Sequence, residues 1–158
     1  MDNRCIIIGA GHAGSQAAIS LRQEGYAGEI VLINDETDIP YHKPPLSKSY
    51  LKAPEARILV LRPESTYREN NIEMLFGHSV EHVSLTDKTV TLDDGKVLNW
   101  SELVFATGAR ARIPDMPGVE LDGVVTLRRL GDARRIADMM PRVENVVIIG
   151  GGFIGLEM

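Results

Sequence analysis

The sequence predicts an α/β fold built on a doubly wound, mainly parallel β-sheet, followed by the start of a second unit of the same type. Three observations predict it. Residues 4–34 form a pattern of strand, glycine-rich turn, helix and strand. Three short alternating segments between residues 79 and 98 predict a small antiparallel meander. A further apolar segment followed by clustered glycines occupies residues 145–155.

The opening unit is marked by a change from a continuous apolar run to a helical pattern. Arg4–Ile8 ends at a glycine, which is typical of a strand buried on both faces. A helix then extends to about Glu24, with small and apolar residues on one face that would let it lie close on a sheet. Glu29–Asn34 is the next predicted strand, so these elements form half of a doubly wound fold.

The remaining elements follow from proline, glycine and alternation. Residues 35–57 predict a functional loop with a short helix near Leu46–Leu51, because the run from Pro40 to Pro45 is too rigid and polar for regular structure. The later predicted elements are a helix at Pro63–Asn70, a strand at Ile72–Phe76, meander strands at Ser79–Leu85, Thr89–Leu92 and Lys96–Leu98 with a turn at Asp93–Gly95, a strand at Leu103–Ala106, a helix at Gly131–Met140 and a strand at Asn145–Ile149.

Composition limits the classes of function. The chain has 158 residues, 44% of them hydrophobic and 25% charged, and a net charge of −5, which disfavours general binding to nucleic acid or to an anionic membrane. The first residues lack the pattern of a secretory signal and no apolar stretch is long enough for a membrane span, so a cytoplasmic location is expected. The single cysteine, Cys5, lies in the first predicted strand and is expected to be a buried small hydrophobe.

The first glycine cluster is a candidate diphosphate site. Gly9, Gly11 and Gly14 lie between a predicted strand and a predicted helix, which is the context that dinucleotide binding requires. Gly9 would make the tight turn, Gly11 would let the backbone approach an anion, and Gly14 would allow close helix packing. The helix N-terminus offers free N–H groups to the anion. Asp35, with Glu36 beside it, follows Gly14 by about 20 residues and suits a ribose hydroxyl. The alternative is a structural turn with a solvent-facing acid.

The second glycine cluster repeats this context. Gly150, Gly152 and Gly155 follow the predicted strand at Asn145–Ile149. Two such sites in one chain indicate that it binds two dinucleotides, or that the two sites act together in one enzyme. The alternative is that the second cluster is an ordinary glycine-rich turn. Because a Rossmann unit needs more helix and strand than the sequence holds after this turn, we expect a fragment of a longer polypeptide or a different fold for the second half.

Two further segments are candidates for contact with a ligand. Lys48 follows a Pro-Pro step at the start of a short predicted helix, where it could stabilise negative charge on a ligand or simply be solvated. Ala106, Thr107 and Gly108 end a strand with little side-chain bulk, which suits close passage under a ligand.

No metal site is predicted. His78 and His82 have a spacing that binds metal on a helix, but they flank a predicted strand. In a strand this spacing separates the two residues by about 13 Å.

Together these segments resemble the FAD-dependent pyridine nucleotide-disulfide oxidoreductase superfamily, and best its ferredoxin, rubredoxin and putidaredoxin reductase branch. The resemblance spans the chain through GAGHAG, PYHKPPLSK, LVFATGAR and IIGGGFIGLE, of which PPLSK is the most specific. It implies a Rossmann-like, three-layer FAD-binding fold with a β-meander insertion, followed by the start of a second, NAD-binding Rossmann unit. The FAD-binding part would cover residues 1–110, and residues 111–158 would be a connector and the beginning of a truncated NAD(P)-binding domain.

The resemblance also implies roles for individual residues. Those implied to bind FAD are Gly9, Gly11, His12, Ala13, Gly14, Asp35, Glu36, Lys43, Pro44, Lys48, Val80, Ala106, Thr107, Gly108 and Arg128. Those implied to bind NAD(P)H are Gly150, Gly152, Phe153, Ile154 and Gly155, with Phe153 as an aromatic gate. Lys48 and Glu157 are implied to be catalytic and to form an ion pair near flavin N5.

The implied function is a flavoprotein reductase that passes electrons from NAD(P)H through FAD to a small iron–sulfur ferredoxin or a rubredoxin. A disulfide or NADH-oxidase branch would need a reactive cysteine beside the flavin, and Cys5 in a strand cannot reach that place. The alternatives are a catalytically inert nucleotide-binding fragment of such a reductase, and a flavoprotein that resembles apoptosis-inducing factor or an NADH oxidase, the latter disfavoured by the position of Cys5.

Overall fold

The computed structural model describes residues 3–54 and 58–158. The chain divides into two compact units. The first unit comprises Met1–Tyr41 and Val60–Gly108, and the second comprises His42–Leu59 and Ala109–Met158. The domain boundary expected at residue 110 stays a prediction.

The described elements alternate strands with helices. In chain order the strands are β1 Arg4–Ile8, β2 Glu29–Asn34, β3 Ile72–Phe76, β4 Val80–Ser84, β5 Thr89–Leu92, β6 Val97–Asn99 and β7 Glu102–Phe105. The helices are α1 His12–Gln23, α2 Ser49–Lys52, α3 Glu64–Glu69, α4 Leu130–Met139 and α5 Phe153–Glu157, with 3-10 helices at Pro44–Ser47 and Met140–Arg142.

A four-stranded parallel sheet forms the centre of the first unit, in the order β3-β2-β1-β7. Its middle strands are almost entirely apolar, because both faces of each strand are covered. Cys5 lies in β1 and is buried, as expected.

The two faces of this sheet carry different layers. One face packs on helices, with Ile7 and Leu32 against Ala18 of α1 and Tyr67 of α3. The other face packs on the antiparallel sheet β4-β5-β6, whose buried residues include Val90. Helices, parallel sheet and meander therefore form three layers, which confirms the predicted fold class.

The meander has the predicted turn. Gly95 adopts a φ of +82°, a conformation that favours glycine, and its N–H donates to the Leu92 carbonyl at 3.0 Å. The predicted strand bounds agree with the structure to within one or two residues here.

The second unit contains short helices. The 3-10 helix Pro44–Ser47 and α2 pack against α4, in which Leu130 and Ala133 are fully buried. Asp132 caps α4, because its carboxylate accepts the N–H groups of Arg128 and Arg129, each at 2.8 Å.

Two sequence predictions need correction in this unit. Residues 145–149 do not form the predicted strand: they join neither sheet, and Val147 is 87% exposed. A strand needs a hydrogen-bonded neighbour, and no described strand lies beside this segment. The run from Pro40 to Pro45 is also less irregular than predicted, because its last two residues begin a 3-10 helix. Residues 55–57 of the predicted loop lie outside the described part.

Within residues 3–54 and 58–158, no helix combines the length and the apolar character needed to cross a membrane.

Candidate functional site

The first glycine turn connects β1 to α1 in a conformation that requires glycine. Gly9 has a φ of +103°, and its N–H donates to the Ile33 carbonyl at 2.8 Å. A β-carbon at Gly9 would collide with the Ala106 carbonyl, and would lie 3.0 Å from the Thr107 α-carbon. The turn therefore passes directly over the end of β7, and a side chain at this position would separate them.

Gly14 and Gly11 have different surroundings. A β-carbon at Gly14 would collide with the Gly9 carbonyl, so this glycine lets α1 lie against the turn. A β-carbon at Gly11 would meet nothing within 4 Å. Gly11 is the N-cap of α1, the end at which an α-helix directs its first N–H groups away from its own carbonyls. These N–H groups and the open space at Gly11 form a cradle that suits an anion.

The end of β2 holds the other side of this turn through a residue that sequence reasoning missed. Asn34 accepts the Ala10 N–H at 3.3 Å and donates to the Glu36 carbonyl at 3.2 Å. The Glu36 carboxylate accepts the hydroxyl of Tyr41 at 2.6 Å. Asn34 is a polar residue at the end of an otherwise apolar strand, and this pattern could have indicated that its side chain binds the turn. Asp35 and Glu36 follow it directly, and their predicted role in ribose binding stays a prediction.

The remaining predicted FAD residues of the first unit lie at strand ends. Ala106, Thr107 and Gly108 follow β7, where Ala106 donates its N–H to the Ile8 carbonyl at 2.8 Å. Val80 begins β4, and its side chain is packed against the core beside the meander.

In the second unit, the other glycine turn repeats the local backbone of the first, although a β-carbon at Gly150 would meet nothing within 4 Å. Gly150 has a positive φ, +114°, as Gly9 does. A β-carbon at Gly155 would collide with the Gly150 carbonyl, just as a β-carbon at Gly14 would collide with the Gly9 carbonyl. Gly152 is the N-cap of α5, and its carbonyl accepts the Leu156 N–H at 3.1 Å. The turn thus forms although residues 145–149 are unpaired, because its geometry depends on local backbone contacts.

The residues after this turn are exposed. Phe153 is 88% exposed and Ile154 about half exposed. Elsewhere in the second unit, the Arg128 side chain donates to the Ala109 carbonyl at 2.9 Å. Lys43 is the N-cap of the 3-10 helix that Pro44 begins.

Lys48 and Glu157 form the ion pair that the family resemblance implied. The Lys48 Nζ lies 3.2 Å from Glu157 Oε1. The other carboxylate oxygen, Oε2, accepts the hydroxyl of Ser47 at 2.8 Å. The Ser47 hydroxyl first, and then the Lys48 ammonium, hold the pKa of Glu157 below its ordinary value. Sequence reasoning missed Ser47, which carries no signal besides its place before Lys48.

His78 lies beside two aspartates. Its Nδ1 lies 3.1 Å from Asp93 Oδ1 and 3.8 Å from Asp94 Oδ2, while His82 lies within β4. Asp93 also accepts the Ser79 N–H at 3.0 Å, and this bond is the main cause that lowers the pKa of Asp93. These contacts brace the meander turn.

The residues of the first unit fit the adenosine diphosphate part of FAD. The uncrowded Gly11, the N–H groups at the start of α1 and the acids after β2 lie at one edge of the parallel sheet, where their chemistry suits a diphosphate and a ribose. Two glycine turns of the same geometry in one α/β chain define the class of two-dinucleotide proteins.

Comparisons with known proteins identify the family within this class. The chain belongs to the pyridine nucleotide-disulphide oxidoreductase family, whose model matches residues 3–158. It is 47% identical over 154 residues to a ferredoxin–NAD(P)(+) reductase of a Sphingomonas species, covering 96% of this chain and 37% of that protein. It is 41% identical over 154 residues to a rubredoxin–NAD(+) reductase of Pseudomonas putida, covering 97% of this chain and 40% of that protein.

Solved structures agree. A ferredoxin reductase from Rhodopseudomonas palustris superposes with a TM-score of 0.91 at 42% identity, over 98% of this chain and 38% of that one. The putidaredoxin reductase–putidaredoxin complex gives a TM-score of 0.86 at 40% identity, over 99% of this chain and 38% of that one. The resemblance to the ferredoxin, rubredoxin and putidaredoxin reductase branch is confirmed, and the chain spans about two fifths of the length of these relatives.

Proposed function

We propose that this chain is the cofactor-binding part of a flavoprotein reductase that moves electrons from NAD(P)H through FAD to a ferredoxin- or rubredoxin-type carrier. The observation that carries the proposal is the repeated glycine turn, in which Gly9 and Gly14 are matched by Gly150 and Gly155. Two such turns supply sites for two dinucleotides in one chain. The named relatives are reductases of this kind.

The first turn is proposed to bind the FAD diphosphate. The N–H groups at the start of α1, from His12 to Gly14, would donate to its oxygens, and Gly11 would let the backbone approach closely. Asp35, with Glu36, would accept the ribose hydroxyls. The residues proposed to complete the FAD site are Lys43, Pro44, Lys48, Val80, Ala106, Thr107, Gly108 and Arg128.

The second turn is proposed to bind the diphosphate of NAD(P)H. Gly150, Gly152 and Gly155 would shape the backbone, and Ile154 would help to line the site. Phe153, whose side chain is exposed, would cover the nicotinamide side of the flavin. The proposed NAD(P)-binding part begins within residues 111–158, after an FAD-binding part over residues 1–110.

Lys48 and Glu157 are proposed as the catalytic pair. Bound FAD would supply the hydride acceptor for NAD(P)H and the source of single electrons for the carrier. The Lys48 ammonium would stabilise the negative charge that develops on reduction, because a fixed charge costs no reorganisation during the reaction. Glu157 would hold that ammonium in place through the 3.2 Å ion pair.

Cys5 does not support a disulfide mechanism. It is buried in β1, and this burial, with the nearby Glu102 carboxylate, raises the pKa of its thiol. A thiol with a raised pKa is a poor nucleophile at neutral pH.

The partner is proposed to be a small iron–sulfur ferredoxin or a rubredoxin. Two relatives are named for ferredoxin and rubredoxin, and one solved relative is a complex with putidaredoxin. We propose a cytoplasmic location, since NAD(P)H is generated there.

The test is reduction of the full-length gene product. We expect purified protein to be yellow, to lose its flavin absorbance when NADH or NADPH is added without oxygen, and to reduce cytochrome c only when a ferredoxin or rubredoxin is added. Lys48→Gln is expected to retain FAD and to be reduced at least about 10-fold more slowly.

Two outcomes would contradict the proposal. Colourless protein that takes up no FAD would exclude a flavoprotein. Protein that binds FAD but is reduced by neither nucleotide would indicate a nucleotide-binding role without catalysis.

A further inference from the structure

Ser47 is a buried polar residue that directs its hydroxyl to a carboxylate far along the chain. It is 8% exposed, and its Oγ donates to Glu157 Oε2 at 2.8 Å across a separation of 110 residues. Its neighbour Lys48 contacts the other oxygen of the same carboxylate at 3.2 Å. Two consecutive residues therefore hold the two oxygens of Glu157.

The local backbone fixes the position of the Ser47 hydroxyl. Pro44 and Pro45 begin the 3-10 helix and limit its φ angles, and the Lys48 N–H closes it by donating to the Pro45 carbonyl at 3.1 Å. Leu46 and Tyr50 on either side are buried, at 4% and 9% exposure. Ser47 is thus held between two anchored residues, and its short side chain has few rotamers.

The ion pair itself is much less constrained. The Lys48 side chain is 57% exposed and that of Glu157 is 33% exposed. Exposed lysine–carboxylate pairs are weak, because two long side chains must be held in one geometry and water screens their attraction. A bond from a buried hydroxyl restricts the carboxylate, whose other oxygen lies 3.2 Å from the Lys48 ammonium.

We propose that Ser47 is a positioning residue that orients the Glu157 carboxylate and, through it, the Lys48 ammonium for reduction of the flavin. The inference rests on the proposed function, because it assigns Ser47 to the step in which Lys48 acts. Ser47 needs no contact with flavin or nicotinamide for this role. Loss of the hydroxyl leaves the charges in place but lets them move.

The test compares Ser47→Ala with Ser49→Ala in the full-length gene product. Ser49 is exposed and begins α2, so it is a matched control next to the same segment. We expect Ser47→Ala to slow anaerobic flavin reduction by NAD(P)H about 3- to 10-fold, the effect of losing the net contribution of one hydrogen bond, and to make the flavin potential more negative. FAD content and NAD(P)H affinity should match the wild type, and Ser49→Ala should equal the wild type throughout.

A second comparison separates positioning from folding. Thr and Val have nearly the same shape, so Ser47→Thr should reduce faster than Ser47→Val when both are normalised to bound FAD, even if Ser47→Ala folds poorly. In a Glu157→Gln background, Ser47→Ala should add less than a twofold effect, since the group it positions is already altered.

The failures are distinguishable. If the wild type is reduced by NAD(P)H and Ser47→Ala matches Ser49→Ala in rate and potential, the role of Ser47 is refuted and the proposed function stands. Full additivity with Glu157→Gln also refutes it. If the wild type is not reduced at all, the proposed function fails and the inference fails with it.

Discussion

Ser15 and Tyr67 share a hydroxyl–hydroxyl hydrogen bond of 2.6 Å, and both side chains are fully buried. Ser15 follows Gly14 in the first turns of α1, and Tyr67 lies on α3. Burial raises the pKa of the Tyr67 hydroxyl, so the phenol stays protonated and the bond persists at neutral pH. The bond thus ties α3 to the end of α1 that presents the anion cradle.

Tyr67→Phe is expected to destabilise the protein by about 1–3 kcal/mol, because it leaves the Ser15 hydroxyl buried without this partner. Urea unfolding followed by circular dichroism measures the change. Tyr26→Phe is the control, since the Tyr26 hydroxyl donates to Glu102 at an exposed site and its loss should cost less than about 1 kcal/mol. Adding Ser15→Ala to Tyr67→Phe should recover part of the loss. Equal stability of Tyr67→Phe and wild type would contradict the expectation.

Gly14→Ala is expected to cost about 3 kcal/mol or more, because the new β-carbon would collide with the rigid backbone carbonyl of Gly9. The control is Gly131→Ala, the same substitution in α4, where a β-carbon meets nothing within 4 Å. There alanine should stabilise by roughly 0.5–1 kcal/mol, since it loses less backbone entropy than glycine. Thermal unfolding measures the stability of both variants. If both substitutions change the stability in the same direction, the contact between Gly14 and the Gly9 carbonyl does not exclude a side chain.

Gly11→Ala separates binding from folding. Its β-carbon meets no protein atom within 4 Å and its φ is −69°, so stability should change by less than about 1 kcal/mol. FAD affinity should fall at least about 10-fold, because the methyl group would occupy the proposed approach of the diphosphate. Titration of apoprotein with FAD, followed by flavin fluorescence, measures this. Gly131→Ala, another open position without a positive φ, is the control. An unchanged affinity for Gly11→Ala would place the diphosphate elsewhere.

Glu157 is expected to titrate below its ordinary pKa of 4.5, with the Ser47 hydroxyl as the main cause and Lys48 as the second. Because the folded-state pKa is lowered, the contribution of this group to stability is present above the unfolded value and is lost as pH falls through the folded value. Carboxyl-carbon NMR titration measures it. Ser47→Ala should raise the pKa of Glu157 toward 4.5, and Ser49→Ala should not move it. A shift in neither variant would mean that the hydroxyl does not act on the carboxylate.

Local patterns in the sequence were enough to predict most elements of the first unit. β1, β2, β3 and β5 have the predicted bounds, because apolar runs and alternation are properties of neighbouring residues. The glycine turns were predictable for the same reason, since a positive φ at Gly9 and Gly150 needs glycine whatever surrounds it. Residues 145–149 have the same apolar pattern and form no strand, because pairing depends on a neighbour that a local pattern cannot supply.

The sequence by itself determined the order of most strands and helices and the two dinucleotide-type turns. Its resemblance to a family implied the three layers and paired Lys48 with Glu157. Only the tertiary structure placed Asn34 on the first turn, Tyr67 on Ser15, and Ser47 on the second oxygen of the Glu157 carboxylate. These contacts join residues 24, 52 and 110 positions apart. Their partners are chosen by how the helices and strands pack, and no short-range spacing encodes that choice.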